Sequence, residues 1–371
     1  MIGDRKKQKA GDNSQQLQAN TINITNINGI DEKRAREIFS EMYEVARKNF
    51  TSDAYQVANQ RVSKFEESLM PKIIQIDGAL EKFADPSFQF LLTEAHKTAA
   101  STEREVDYDL LSELLIHRIK KGELRKTRAG IEKAVEIVDQ VDDDALCALT
   151  VTYAITKIFP NMGKIIDGLD ILQSIFEKLI YLDLPDGQEW LEHLEILSVI
   201  RLNTLGNLKK IEDYYSEYLD GYICNGIEKC SESYEKALKI LSDLELPQFL
   251  LLEHELLNDY VRLPIVAPGV IETNRLTAEY KIGELTIKQE ITLSDVQKQG
   301  LKNILELYDK SEEKKQLVRK NFMNEWKKRS ALNILLSWWD NIPISFNLTA
   351  VGRVLGHANA QRYCSDIPSI D

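Results

Sequence analysis

From Asp31 to Val261 apolar residues recur at three- and four-residue spacing, and this pattern commits most of the chain to helix. Ile38, Phe39, Met42, Tyr43 and Ala46 fall on one face of a first helix, with Asp31 placed to cap it. Ala54, Val57, Ala58, Arg61, Phe65 and Leu69 share a face of the next, and Pro71 is expected in a first turn or at a kink. Asp85-Pro86-Ser87 is a break, followed by helices carrying Phe88, Leu91, Leu92, Ala95 and Ala99, then Leu110 to Ile116. Further helices are expected over 131–138, 144–159, 168–182, 187–205, 208–223, 227–241 and 247–261. Seventeen Gly and nine Pro in 371 residues are too few for a turn-rich β fold, which agrees with this reading.

The two ends of the chain depart from that texture. Past Leu263, Pro264, Pro268 and Gly269 mark a linker, and Glu279 to Ile287 alternate around Gly283 as a β-hairpin would. Ser294 caps a long charged helix over 295–339, broken near Lys310 and Ser311. Ile344 to Leu348 read as a short strand, and Leu348-Thr349 open a last helix. The expected fold class is mostly α. A multi-helical body, 31–262, is flanked by a flexible β-prone segment, 1–30, and a small C-terminal α+β module, 263–371.

Gly11 to Asn28 are amide-rich, carry Asp12 as their one charge, and include β-branched residues alternating with Asn. Such a tract is too polar to bury a core of its own, whereas Asn and Gln side chains can stack in register between paired strands. Asn13, Ser14, Leu17, Gln18, Ala19, Ile22 and Ile24 would carry this assembly. The competing reading is a polar tail without a binding role.

Composition narrows the function classes. A net charge of −12 and a pI near 5.2 argue against broad, non-specific nucleic-acid binding. No span of the sequence reaches the length of apolar residues a membrane helix needs, and the basic N-terminus has no apolar stretch behind it. Cys147, Cys224, Cys230 and Cys364 are scattered without a CxxC, as expected of reduced thiols in a cytoplasmic protein. His254-Glu255-Leu256-Leu257-Asn258 lacks the second His of a zinc helix, and Glu189 with His193 is a lone pair, so no metal is expected. Phosphate-loop, dinucleotide and nucleophile-elbow signatures are absent, so no cofactor is expected. Basic clusters at 118–128 and 314–329 read as solvated helix faces, the second being interleaved with Glu312, Glu313 and Glu325, and leave nucleic acid possible but not favoured.

Arg353 and His357 stand four residues apart, on one face of a helix, where an imidazole could work as a general acid or base. The pair is similar to the Arg and His of helical HEPN-type ribonuclease toxins, except that three residues intervene here instead of four to six. These are the catalytic candidates; a packing role is the alternative.

Several stretches resemble an uncharacterised family of bacterial cytoplasmic helical proteins. They are Gly11, Asn13, Ser14, Gln18 and Ala19, then Asn49-Phe50, Ala54, Ala58, Arg61 and Phe65, then Phe83 to Gln89, Leu114 to Arg118, and Leu348 to Gly352. The first group is similar to bacterial amyloid-signalling motifs compared with the RHIM of animal necroptosis proteins. Asn20 stands where Gly often follows Gln-Ala, and Leu17-Gln18-Ala19-Asn20 departs from the Ile-Gln-Val-Gly core. The C-terminal strand, Leu-Thr and helix resemble the end of a winged-helix module. The resemblance implies a non-enzymatic interaction protein of a bacterial signalling or anti-phage pathway, with protein partners and a homo-oligomeric state. The alternatives are a nuclease effector acting through Arg353 and His357, or a nucleic-acid-binding regulator.

Overall fold

Asp31 caps the first helix, its carboxylate accepting the Arg34 amide proton at 2.7 Å, and α1 runs Glu32–Ala46. The computed structural model describes residues 30–368 apart from 50, 122–123, 274 and 283–284. The helices α2 (Ser52–Ile74), α3 (Pro86–Ser101), α4 (Glu105–Lys121), α5 (Arg125–Ile137) and α6 (Asp143–Lys157) follow, then α7 (Ile165–Leu179) and α8 (Glu189–Ile196). Asp85 caps α3 through the Ser87 amide at 2.8 Å, with Pro86 at the first helical position, where its missing donor costs nothing. Pro71 lies inside the last turn of α2, not in a first turn, held there by fully buried Leu69, Met70 and Ile73.

Two apolar cores follow the chain in an interrupted order. The first takes residues from Ala35 to Ile223, then Leu256, Leu257, Tyr260 and Val266, and then residues from Val318 to Ile367. The second takes residues from Ile227 to Ile304. Residues 225–308 thus interrupt the helical body as an insertion, supply the whole of the second core and lend Leu256, Leu257, Tyr260 and Val266 to the first, and residues on both sides of 263 contribute to each core.

The helical body contains β1 (Ile200–Asn203) and α9 (Ile211–Tyr218) before the insertion. The insertion holds β2 (Ile227–Glu228), α10 (Glu232–Asp243), β3 (Leu252–Glu253), β4 (Tyr260–Arg262), β5 (Arg275–Ile282), β6 (Leu285–Thr292) and α11 (Asp295–Glu306). After it come α12 (Glu312–Lys327), α13 (Ser330–Asp340), β7 (Ser345–Leu348) and α14 (Ala350–Tyr363). The expected hairpin, the break at Ser311 and the Thr349 cap of α14 are all present. A second break at 328–329 divides α12 from α13.

Four expected helices were drawn too long. The one over 187–205 gives way to β1, that over 208–223 ends at Tyr218, that over 227–241 begins with β2, and that over 247–261 becomes a 3₁₀ turn, β3 and β4. Short apolar runs fit either period, and tertiary pairing decides between them. Val261 lies opposite both Ile227 and Glu253, so β4 is the middle strand of three and all its residues are buried. β7 pairs with β1, antiparallel, from Ile200↔Leu348 to Asn203↔Ser345, so β7 and the β5–β6 hairpin do not share a sheet.

The last helix in sequence is the central one in space. α14 packs against α4, α5 and α6 and buries every residue from Val354 to Ala360. Small residues allow that approach. A Cβ on Gly352 would lie 2.2 Å from the Val199 carbonyl oxygen, on a backbone that also receives the Thr349 amide at 3.0 Å. Gly352→Ala is therefore expected to cost about 1–3 kcal/mol through backbone displacement. A thermal melt unchanged by this substitution would show that α14 has room to shift.

Candidate functional site

Arg353 and His357 begin on the same helix and end in different surroundings. Arg353 is exposed, and its Nη1 donates to the Leu348 carbonyl at 2.9 Å. It lines a surface pocket bounded by α6, α9, α13 and β7, whose walls do not include His357. His357 is fully buried against α4 and α6. Spacing four apart placed both on one helix face, but α14 has neighbours on several sides, and they divide that face.

The partners of His357 fix its protonation. Its Nε2 lies 2.8 Å from the Pro368 carbonyl, which can only accept, so the proton sits on Nε2 and Nδ1 carries the lone pair. His117 Nε2 is 2.8 Å from Gln361 Oε1 and 3.2 Å from His357 Nδ1, so its proton points at both. Gln361 Nε2 donates to the Ile367 carbonyl at 2.9 Å, which turns Oε1 toward His117. His117 Nδ1 is then a buried lone pair without a partner among the described residues. Burial pushes His357 down to about 4 and lowers His117 as well. Two neutral imidazoles in a closed site, with no path to substrate, are suited to tying the C-terminus to α4 and not to proton transfer.

The other titratable motifs are likewise absorbed into structure. Glu255, next to His254, accepts the amide protons of Ile165 and Ile166, the latter at 3.2 Å, and so caps α7. His254 Nε2 faces the Cys224 carbonyl at 2.8 Å, and its Nδ1 accepts the Leu256 amide at 3.1 Å. His193 accepts the Asp142 amide at 3.3 Å. Among the described residues no group of three or more His, Cys, Asp or Glu could hold a metal ion, and no helix is long and apolar enough to cross a membrane. In the 314–329 basic cluster, Lys314 pairs with Asp309, Arg319 with Glu212 and Asp213, and Arg329 with Asp170. In the 118–128 cluster, Arg118 is buried and donates to Ser87 Oγ at 2.8 Å.

The assembly residues Asn13, Ser14, Leu17, Gln18, Ala19, Ile22 and Ile24 lie outside the described residues. The fold does contain one element suited to strand addition. β5 and β6, eight residues each, are the longest strands described and form a two-stranded ribbon. Apolar register pairs, Leu276↔Ile291, Tyr280↔Ile287 and Ile282↔Leu285, alternate with polar ones such as Thr277↔Glu290 and Glu279↔Lys288. Each strand keeps one edge without a strand partner among the described residues. An isolated two-stranded ribbon is marginal in water, and a third strand is the usual remedy. The β1–β7 pair differs, because side chains already occupy its outward backbone groups: Glu195 accepts the Leu202 amide at 2.9 Å, and Arg353 covers the Leu348 carbonyl.

The model of an uncharacterised protein family matches residues 29–370. No curated protein and no solved structure matches the chain.

Proposed function

The chain belongs to the uncharacterised family whose model spans residues 29–370, and for this member we propose a non-enzymatic role as an interaction protein that self-associates by strand addition. Residues 21–28 of one copy supply the strand, and the open edge of the β5–β6 ribbon of a second copy receives it. Main-chain hydrogen bonds give the affinity, and the alternating side chains on either side give the register. The observation that carries the reading is the ribbon, eight paired residues long with two edges that no other described strand covers.

The sequence of the tract supports it. Thr21 to Thr25 alternate polar and apolar residues, with Ile22 and Ile24 on one face, and Ile27 follows after a second polar residue. The likeness of Gly11, Asn13, Ser14, Gln18 and Ala19 to bacterial amyloid-signalling motifs adds a setting, assembly within a bacterial signalling or anti-phage pathway. The burial of His357 away from Arg353 weighs against the nuclease alternative.

Light scattering on the full chain, on a chain lacking residues 1–29 and on an Ile22→Pro, Ile24→Pro variant tests the reading. The full chain is expected to form dimers or larger species whose mass rises with concentration, and both altered chains to scatter as monomers, since Pro removes the ladder donors. A monomeric full chain, or equal association in all three, would overturn it.

A further inference from the structure

The pocket beside Arg353 has a composition that strand addition does not use. It measures about 420 Å³, within the range of small-ligand sites. Two cations stand at its rim. Lys157, at the end of α6, is exposed and has no charged partner among the described residues, and Arg353 is bound only to a backbone carbonyl. A third, Lys209, is neutralised by Glu217. On a protein of net charge −12, unpaired cations converging on one concavity mark a place built for an anion.

The pocket also has aromatic lining, held in place by ring contacts and a hydrogen bond. Tyr218 stacks on Phe159 with centroids 5.1 Å apart and planes 15° apart, and Tyr214 lies 4.6 Å from Tyr218. Trp339 spends its indole N–H on the Lys209 carbonyl at 2.8 Å, which leaves its ring as a fixed apolar surface. Thr152 is 2 % exposed and lines the pocket, yet its hydroxyl oxygen has no hydrogen-bond partner among the described residues. A buried hydroxyl in that state costs free energy unless something reaches it. Asn207 and Asn347 add amide groups that can read the edge of a flat polar ring.

We propose that this pocket binds a nucleoside monophosphate, with the phosphate between Lys157 and Arg353, and the base against Tyr214, Tyr218 and Trp339. Cations and aromatic rings lining one small pocket select a ligand that carries both an anionic group and a planar ring. Among the described residues no His, Cys or Asp lines the pocket, and its one Glu is paired with Lys209, so no free carboxylate opposes an anion there. The proposal is independent of the self-association reading.

Isothermal titration of the full chain with adenosine 5′-monophosphate, adenosine and inorganic phosphate tests it. The monophosphate is expected to bind at least tenfold more tightly than either part alone. Lys157→Gln and Arg353→Gln are each expected to weaken it about tenfold, the size of one charge-assisted hydrogen bond. Lys157 is exposed and its side chain makes no ion pair or hydrogen bond among the described residues, so its variant is expected to report on binding with little effect on the fold. Affinity should fall as salt rises. Phosphate binding as tight as that of the monophosphate, affinity unchanged in the Lys157 variant, or no saturable binding of the monophosphate would overturn the proposal. So would tighter binding to a single-stranded oligonucleotide than to the monophosphate, since that requires an extended groove and not a pocket for one nucleotide.

Discussion

Acidification from pH 7 to pH 5 is expected to remove a large part of the stability of this protein. His96, His254 and His357 are all buried, and burial pushes each down to about 4, while His117 is lowered by the same cause. The folded values lie below the unfolded one near 6.5, so between these limits the unfolded chain binds more protons. Stability is therefore full above pH 6.5 and declines as pH falls toward 4. At pH 5 each of the three is expected to cost about 1–2 kcal/mol, against a total stability of about 5–15 kcal/mol for a typical protein.

The surroundings offer little to stabilise the imidazolium. His96 faces Phe39, Tyr43 and Phe65, and its Nδ1 already donates to the Leu92 carbonyl at 2.6 Å. His254 faces the Arg262 guanidinium, which opposes a second positive charge, and His357 faces His117, with the Pro368 carbonyl and then Glu113 acting the other way but outweighed by burial. Asp107 runs opposite in sign, since burial raises its carboxyl, but it is one group against four. Urea denaturation at pH 7 and pH 5 measures the loss. His96→Phe keeps a ring in the same contacts without the titrating nitrogen, so its pH dependence should be shallower by about one proton. Equal midpoints at the two pH values would show that these imidazoles are solvated in the folded state.

Arg262→Met is the single substitution expected to destabilise most, by about 3–5 kcal/mol, because it leaves several buried acceptors without donors at once. The Arg262 side chain is fully buried, beneath the Tyr222 ring. Its Nη1 donates to the carbonyls of Gly221, Leu263 and Ile265 at 3.2, 3.0 and 3.3 Å, and its Nη2 to that of Gly163. Its counter-charge, Glu255, is 3.7 Å away and caps α7. One guanidinium thus holds the loop before α7, the exit from α9 and the strand β4 together, which is where the two cores meet. All four Trp residues lie in or against the first core, so their fluorescence would report unfolding of the helical body, and circular dichroism that of both cores. A variant that keeps the wild-type urea midpoint would mean that water replaces the guanidinium without penalty.

Local signals were legible where a residue acts on its own neighbours. Asp31, Asp85, Ser294 and Thr349 each satisfy amides two or three residues on, so cap and helix start could be read together. Alternation on either side of Gly283 marked the hairpin for the same reason. The candidate sites were legible only as residue types. Arg353 and His357 were recognised from spacing, but which wall each faces depends on α4, α6 and β7. The pocket residues Thr152, Tyr214, Tyr218 and Trp339 carried no signal of a ligand, because aromatic residues at helical spacing look the same whether they fill a core or line a cavity.

The sequence by itself determined that the described chain is mostly helical, where most of its helices begin, and that one hairpin interrupts them, since these follow from periodicity and capping within a few residues. Tertiary structure alone decided that the last helix lies at the centre of the body, that His357 meets His117 from α4, and that Tyr260 to Arg262 form a strand and not a helix. Those outcomes depend on which distant segment buries a given face, and a periodic pattern states that a face will be buried without stating against what.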